Sequence, residues 1–131
     1  MELILAPLQK AVASLDLALR QPKDEFIRDA VIQRFEYTYE LCWKMIRRQL
    51  IEDHGSSEVT MLSRRELFRM AADYGLIPSV QSWITYHKAR NETSHVYDEN
   101  KAEEVYQVAS TFLTLTDAVQ LEQVLRVKNA N

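Results

Sequence analysis

Leu8, Val12, Leu15 and Leu19 recur at steps of four, three and four, the stripe of an amphipathic helix. Gln21-Pro22 ends it. Asp24 stands where an N-cap would, and no Gly or Pro follows until His54-Gly55. The spacing therefore predicts a second helix of close to thirty residues, roughly 45 Å long at 1.5 Å per residue. Such a rod must pack against others. Its inward stripe is expected at Ile27, Val31, Phe35, Thr38 or Tyr39, Cys42, Met45 or Ile46, and Gln49 or Leu50.

Gly55-Ser56-Ser57 opens a loop, and Ser63 with Glu66 has capping-box spacing for a short third helix that Gly75 ends. Pro78 suits the first turn of a fourth, running through Trp83 and His87 to Asn91. A last helix begins near Asp98 to Asn100, with Asn100 and Glu103 again at capping-box spacing, and continues to Lys128. Val105, Val108, Phe112, Leu115 and Val119 form its seam. The expected fold is all-α: an antiparallel up-down bundle of four to five helices, two of them long.

Composition narrows the picture. The 131 residues suit one domain, 1–131, with no repeat, low-complexity tract or linker. Two Gly and three Pro are too few for a many-turned β architecture. One cysteine, Cys42, excludes an internal disulfide framework and fits a reducing cytoplasm; flanked by Leu41 and Trp43, it reads as structural. No run approaches the length of a membrane span, and MELILAPLQK lacks a basic leader, so a cytoplasmic protein without a membrane partner is expected. The net charge of −3 leaves no surplus of cations for sequence-independent binding of nucleic acid, so any such contact is local. The basic clusters are Lys44, Arg47 and Arg48; Arg64, Arg65 and Arg69; and Lys88 and Arg90.

Residues 88–98, KARNETSHVYD, place Arg, an amide, two hydroxyls, His and Tyr where a core helix would carry apolar side chains. On an unbroken helix Arg90 and His95 point about 140° apart, so they converge only if the helix ends between them or a second chain contributes. Thr93-Ser94, followed by capping residues, favours an ending. A plainer reading has Arg90 paired with Asp98 or Glu99 and His95 capping carbonyls.

Arg90-Asn91-x-x-x-His95-x-Tyr97 resembles the Arg-x4-His-x-Tyr motif of the HEPN superfamily, helical-bundle proteins often encoded beside a minimal nucleotidyltransferase. RFEYTYELCWKMIRRQL (34–50) and WITYHKARNETSHVYDENKAEEVY (83–106) resemble segments of its nucleotidyltransferase substrate-binding subgroup, in the same order. The resemblance implies a homodimer whose motifs face one another across a cleft, with metal-independent RNA cleavage in active members. It implies a catalytic set of Arg90, Asn91 and His95, and Tyr97 as the residue to which the partner nucleotidyltransferase transfers AMP. The residue types suit that chemistry. RNA cleavage by its own 2′-hydroxyl needs a group that exchanges protons near neutral pH, the property of an imidazole, and a cation facing the developing phosphorane charge.

Other readings of the same residues stay open. Glu92 and His95 have the Glu-x-x-His spacing of di-iron bundles, but a second pair and further Glu are missing, so neither a metal nor another cofactor is expected. His54 suits the C-terminus of its helix. Gly55-Ser56 lacks an Asp-x-Asp in the next fifteen residues, so the chain is not itself the transferase. Phe35, Tyr37, Tyr39 and Trp43 either stack bases or, at steps of four, form a core stripe. Lys44, Arg47 and Arg48 form either a phosphate-binding face or a salt-laced surface in which Glu40 meets Lys44. His87, one turn from Arg90, lines the cleft or is a pairing histidine, and Lys88 is the next basic neighbour. Two functions compete: an RNase toxin of a toxin–antitoxin pair, or a non-catalytic module that presents a nucleotide or substrate to a nucleotidyltransferase.

Overall fold

The computed structural model describes residues 3–114 and 117–130, with Leu113 and Thr114 described by their backbone alone. Among the described residues are seven α-helices and no strand: α1 Ala6–Leu19, α2 Glu25–His54, α3 Ser56–Val59, α4 Arg64–Asp73, α5 Val80–Asn91, α6 Glu99–Thr114 and α7 Asp117–Lys128. A 3₁₀ turn, Glu92–His95, follows α5. Leu115, expected in the seam of the last helix, lies outside the described residues.

Local capping chemistry sets most of these boundaries. Asp24 accepts the Ile27 N–H at 2.8 Å, and α2 then runs 30 residues until Gly55 turns the chain at φ 91°. Ser63 and Glu66 form the expected reciprocal capping box. At the end of α4, the N–H groups of Gly75 and Leu76 return to the carbonyls of Ala72 and Ala71, a Schellman closure that requires the φ of 78° at Gly75.

Four expectations need correction. The stretch after Gly55 is one turn of helix, because the Ser56 carbonyl accepts both the N–H and the hydroxyl of Thr60. Pro78 precedes α5, whose cap is Ser79 accepting the Ser82 N–H at 3.2 Å. The α6 cap is Asp98, which takes the N–H groups of Asn100 and Lys101; Asn100 and Glu103 form no box. The stretch expected as one long helix to Lys128 is described as α6 and α7, so the helix count exceeds four to five.

Side-chain pairings give the helix directions. Thr38 bonds the Ala11 carbonyl and Arg34 bonds Ser14, so α1 and α2 are antiparallel. Arg28 meets Glu99, Phe35 meets Phe112 and Gln49 meets Asn129, so α6 and then α7 rise beside α2 in its own direction. Arg90 meets Glu40 and Thr93 meets Glu36, so α5 descends against α2. That is an up-down bundle.

The α2 stripe lies as expected: Val31, Phe35, Thr38, Tyr39, Cys42, Met45, Ile46, Gln49 and Leu50 are buried, with Ile27 half-buried at its start. Where the pattern left a choice, both residues face inward. Phe35, Tyr39, Phe68, Trp83, Tyr86 and Phe112 form one aromatic cluster, with Phe112 edge-on to Phe35, Trp83 and Tyr86. Burial pushes the Cys42 thiol well above its usual range, so it is inert packing. No helix among the described residues is long and apolar enough to cross a membrane.

Candidate functional site

α5 ends at Asn91, and the 3₁₀ turn carries the chain to Asp98, whose N–H bonds the His95 carbonyl at 3.1 Å. The break expected between Arg90 and His95 is therefore present. Arg90 is partnered by neither Asp98 nor Glu99. Its Nε donates to Glu40 Oε1 at 2.9 Å, because antiparallel packing sets residue 90 opposite residue 40. The turn meanwhile delivers Glu99 to the far end of α2, where it pairs with the buried Arg28 at 2.6 Å. Glu40 Oε2 accepts the Trp43 indole N–H, and Thr93 donates to Glu36 while lying 2.7 Å from the Arg90 carbonyl. Two carboxylates of α2 thus anchor the start of the motif.

Beyond that anchor the motif faces solvent. Asn91 and His95 are exposed, and the His95 ring has no hydrogen-bond partner among the described residues, only the ring of Tyr97 at 6.2 Å. Tyr97 is 83% exposed. No hydrogen bond joins the Arg90 and His95 side chains within the chain. Glu92 pairs with Lys101 at 3.5 Å.

A second cluster adjoins the motif. His87 is half-buried, with Nδ1 3.0 Å from the Tyr39 hydroxyl and Nε2 3.5 Å from the Asn91 amide. Arg64 donates to the same Tyr39 hydroxyl at 3.2 Å and lies 3.6 Å over the Trp43 ring. Burial, reinforced by repulsion from Arg64, lowers the His87 pKa below the usual imidazole range and leaves the ring neutral at pH 7. Burial pushes Tyr39 up to about 12, against the opposing pull of Arg64.

The basic residues singled out in the sequence do not line one pocket. Arg47 and His87 line one cavity of about 520 Å³ between α2, α4 and α5, whereas Lys88 lines a different groove against α6. Lys44 is exposed, 6.0 Å from the Trp43 ring, and makes no pair with Glu40, whose oxygens are already taken. Arg48 is exposed and outside the cavity lining. Phe35 and Tyr39 are core residues, as one reading held, while Trp43 is half-buried and carries Arg64. Tyr37 is partly exposed and bonds Ser14. His54 ends α2 and stacks on Tyr74. Sequence reasoning missed Glu36, Glu40 and Arg64: the two carboxylates look like ordinary surface positions of a long helix, and nothing in the pattern links Arg64 to α5.

Comparison with known proteins bears on the family and the fold. The family described as "Nucleotidyltransferase substrate binding protein like" matches residues 3–125. The chain is 39% identical over 99 residues to a Haemophilus influenzae protein named probable ribonuclease HepT; the match covers 75% of this chain and 66%, just under two thirds, of that relative. A solved structure of the H. influenzae protein HI0074, described as revealing the fold of a substrate binding domain of a nucleotidyltransferase, superposes with a TM-score of 0.83. Identity is 32%, over 94% of this chain and 99% of that one. A crystal structure of a Thermus thermophilus protein gives a TM-score of 0.77 at 30% identity, over 91% and 98%. With the family match, the shared fold and the motif segments in order, the chain belongs to the nucleotidyltransferase substrate-binding protein family.

Proposed function

We propose that this protein is a metal-independent RNase, the toxin of a toxin–antitoxin pair, acting as a cytoplasmic homodimer of a single-domain chain and silenced when a partner minimal nucleotidyltransferase transfers AMP to Tyr97. The observation that carries this reading is the state of the motif: Arg90 held in place by Glu40, with Asn91, His95 and Tyr97 exposed just past the helix end. A structural helix terminus would spend those groups on its own carbonyls. Because no hydrogen bond joins Arg90 and His95 in one chain, a dimer that apposes two motifs supplies the composite site. There the RNA 2′-oxygen attacks the adjacent phosphorus and the 5′-oxygen leaves. The His95 imidazole exchanges the proton, and Arg90 and Asn91 face the charge that develops on phosphorus.

His95→Ala tests this. The variant loses cleavage by about 10²-fold or more while remaining folded, and the parent cleaves undiminished in EDTA. An active His95→Ala protein, or activity abolished by EDTA, overturns the mechanism. The name of the structural relative HI0074 favours a second reading, a non-catalytic subunit that binds substrate for a nucleotidyltransferase. Expression without the partner separates the two, since only a toxin arrests growth.

A further inference from the structure

We infer that the cavity between α2, α4 and α5 is a phosphate-binding subsite that holds the backbone of the RNA strand beside the motif, with Arg47 and Arg64 as its cations. This rests on the RNase reading above and adds to it a place where the strand is gripped away from the reacting phosphate.

The charge of the lining points to an anion. Arg47, Arg64 and His87 are its titratable residues, and no Asp or Glu lines it. Among the described residues neither arginine has a carboxylate within ion-pairing distance, unlike Arg90 of the adjoining motif, which is held by Glu40. Glu40, whose charge reaches His87 in the lining, is committed to Arg90 and the Trp43 indole. Arg64 is also preorganised. Its guanidinium lies 3.6 Å over the Trp43 ring and one nitrogen is fixed on the Tyr39 hydroxyl, so a flexible side chain reaches the cavity already ordered. Guanidinium donors spread in a plane suit phosphate oxygens.

Two features favour a strand over a free nucleotide. The cavity adjoins the motif, since His87 lines it and its Nε2 lies 3.5 Å from the amide of Asn91. A strand whose scissile phosphate lies at Arg90 thus passes directly by Arg64. The aromatic ring in the lining, Trp43, is occupied by Arg64 and holds the cation in place of a base, so the site has phosphate donors without a free stacking platform.

The test measures binding apart from cleavage. Full-length protein carrying His95→Ala is titrated with a fluorescent single-stranded RNA oligonucleotide at several salt concentrations, alone and with Arg47→Gln or Arg64→Gln added. Arg126→Gln, in a groove between α1 and α7, controls for loss of one charge elsewhere. Each cavity variant weakens binding about tenfold and lowers the slope of log affinity against log salt by about 0.7, the value of one released counterion on a single strand. Arg126→Gln changes neither. Arg47 has no side-chain partner among the described residues, so its variant keeps the result interpretable if Arg64→Gln disturbs Tyr39. Unchanged affinity and slope in Arg47→Gln overturn the subsite, as does ATP binding that depends on both arginines while RNA binding does not. Failure of the RNase reading shows separately, as cleavage that survives His95→Ala.

Discussion

Replacing Arg90 by alanine separates a structural role from a chemical one, because the two predict very different magnitudes. Its partner is Glu40 at 2.9 Å, and the two side chains are 34% and 29% exposed. A pair this open to water is screened, and comparable pairs contribute about 0.2–1 kcal/mol. For a chain of this size that is a fall in Tm of about 5 °C or less. No core volume is lost, since Ala89 and Tyr86 rather than Arg90 face inward from this turn. If Arg90 instead faces charge on the phosphorane, removing it costs about 2.7–4 kcal/mol of barrier, a 10²- to 10³-fold fall in rate. The assay pairs thermal unfolding by circular dichroism with initial rates on a fluorogenic RNA in EDTA. Glu40→Gln is the companion variant: it leaves the cation and an oxygen acceptor for it in place, so it slows cleavage less than Arg90→Ala does. A Tm fall above 10 °C in Arg90→Ala, or a rate within tenfold of the parent, refutes the assignment.

Four further outcomes are expected. Phe112→Ala, which empties a fully buried position at the centre of three edge-on ring contacts, costs about 3–5 kcal/mol in chemical denaturation; a loss below 1 kcal/mol contradicts the packing. Tyr86→Phe removes the hydroxyl that donates to buried Asp117, leaves that carboxylate oxygen unpaired and costs about 1–3 kcal/mol in chemical denaturation; an unchanged stability contradicts the contact. The hydrogen bond from Arg28 holds the Glu99 pKa below its ordinary value in the folded chain, so its contribution is present above the unfolded carboxylate pKa and lost as pH falls through the depressed value. The Tm difference between parent and Glu99→Gln should therefore shrink from pH 7 to pH 3, and a constant difference excludes the linkage. Co-expression with a cognate nucleotidyltransferase adds AMP to the parent and none to Tyr97→Phe, read by intact mass; a modified Tyr97→Phe chain moves the acceptor elsewhere.

The sequence alone determined the ends of α2 and α4, because caps and glycine turns act within a few residues: Asp24, Ser63 with Glu66, Gly55 and Gly75 all act as their local chemistry requires. It also determined the inward face of α2 and the exposed polar segment after α5. What it did not determine is which distant side chains meet, since that depends on the rotation and register of one helix against another. Phe35, Tyr39 and Trp43 share a spacing of four, yet each step drifts about 40° from a 3.6-residue period, so Trp43 leaves the core and becomes a platform for Arg64. His87 and Lys88 are adjacent in sequence, and one residue's rotation of about 100° sends them to different grooves. Arg90 meets Glu40 across fifty residues because α5 descends along α2 in one register. Only the packed bundle selects that carboxylate over Asp98 and Glu99, which stand nearer in sequence, and only it places Arg64 beside His87.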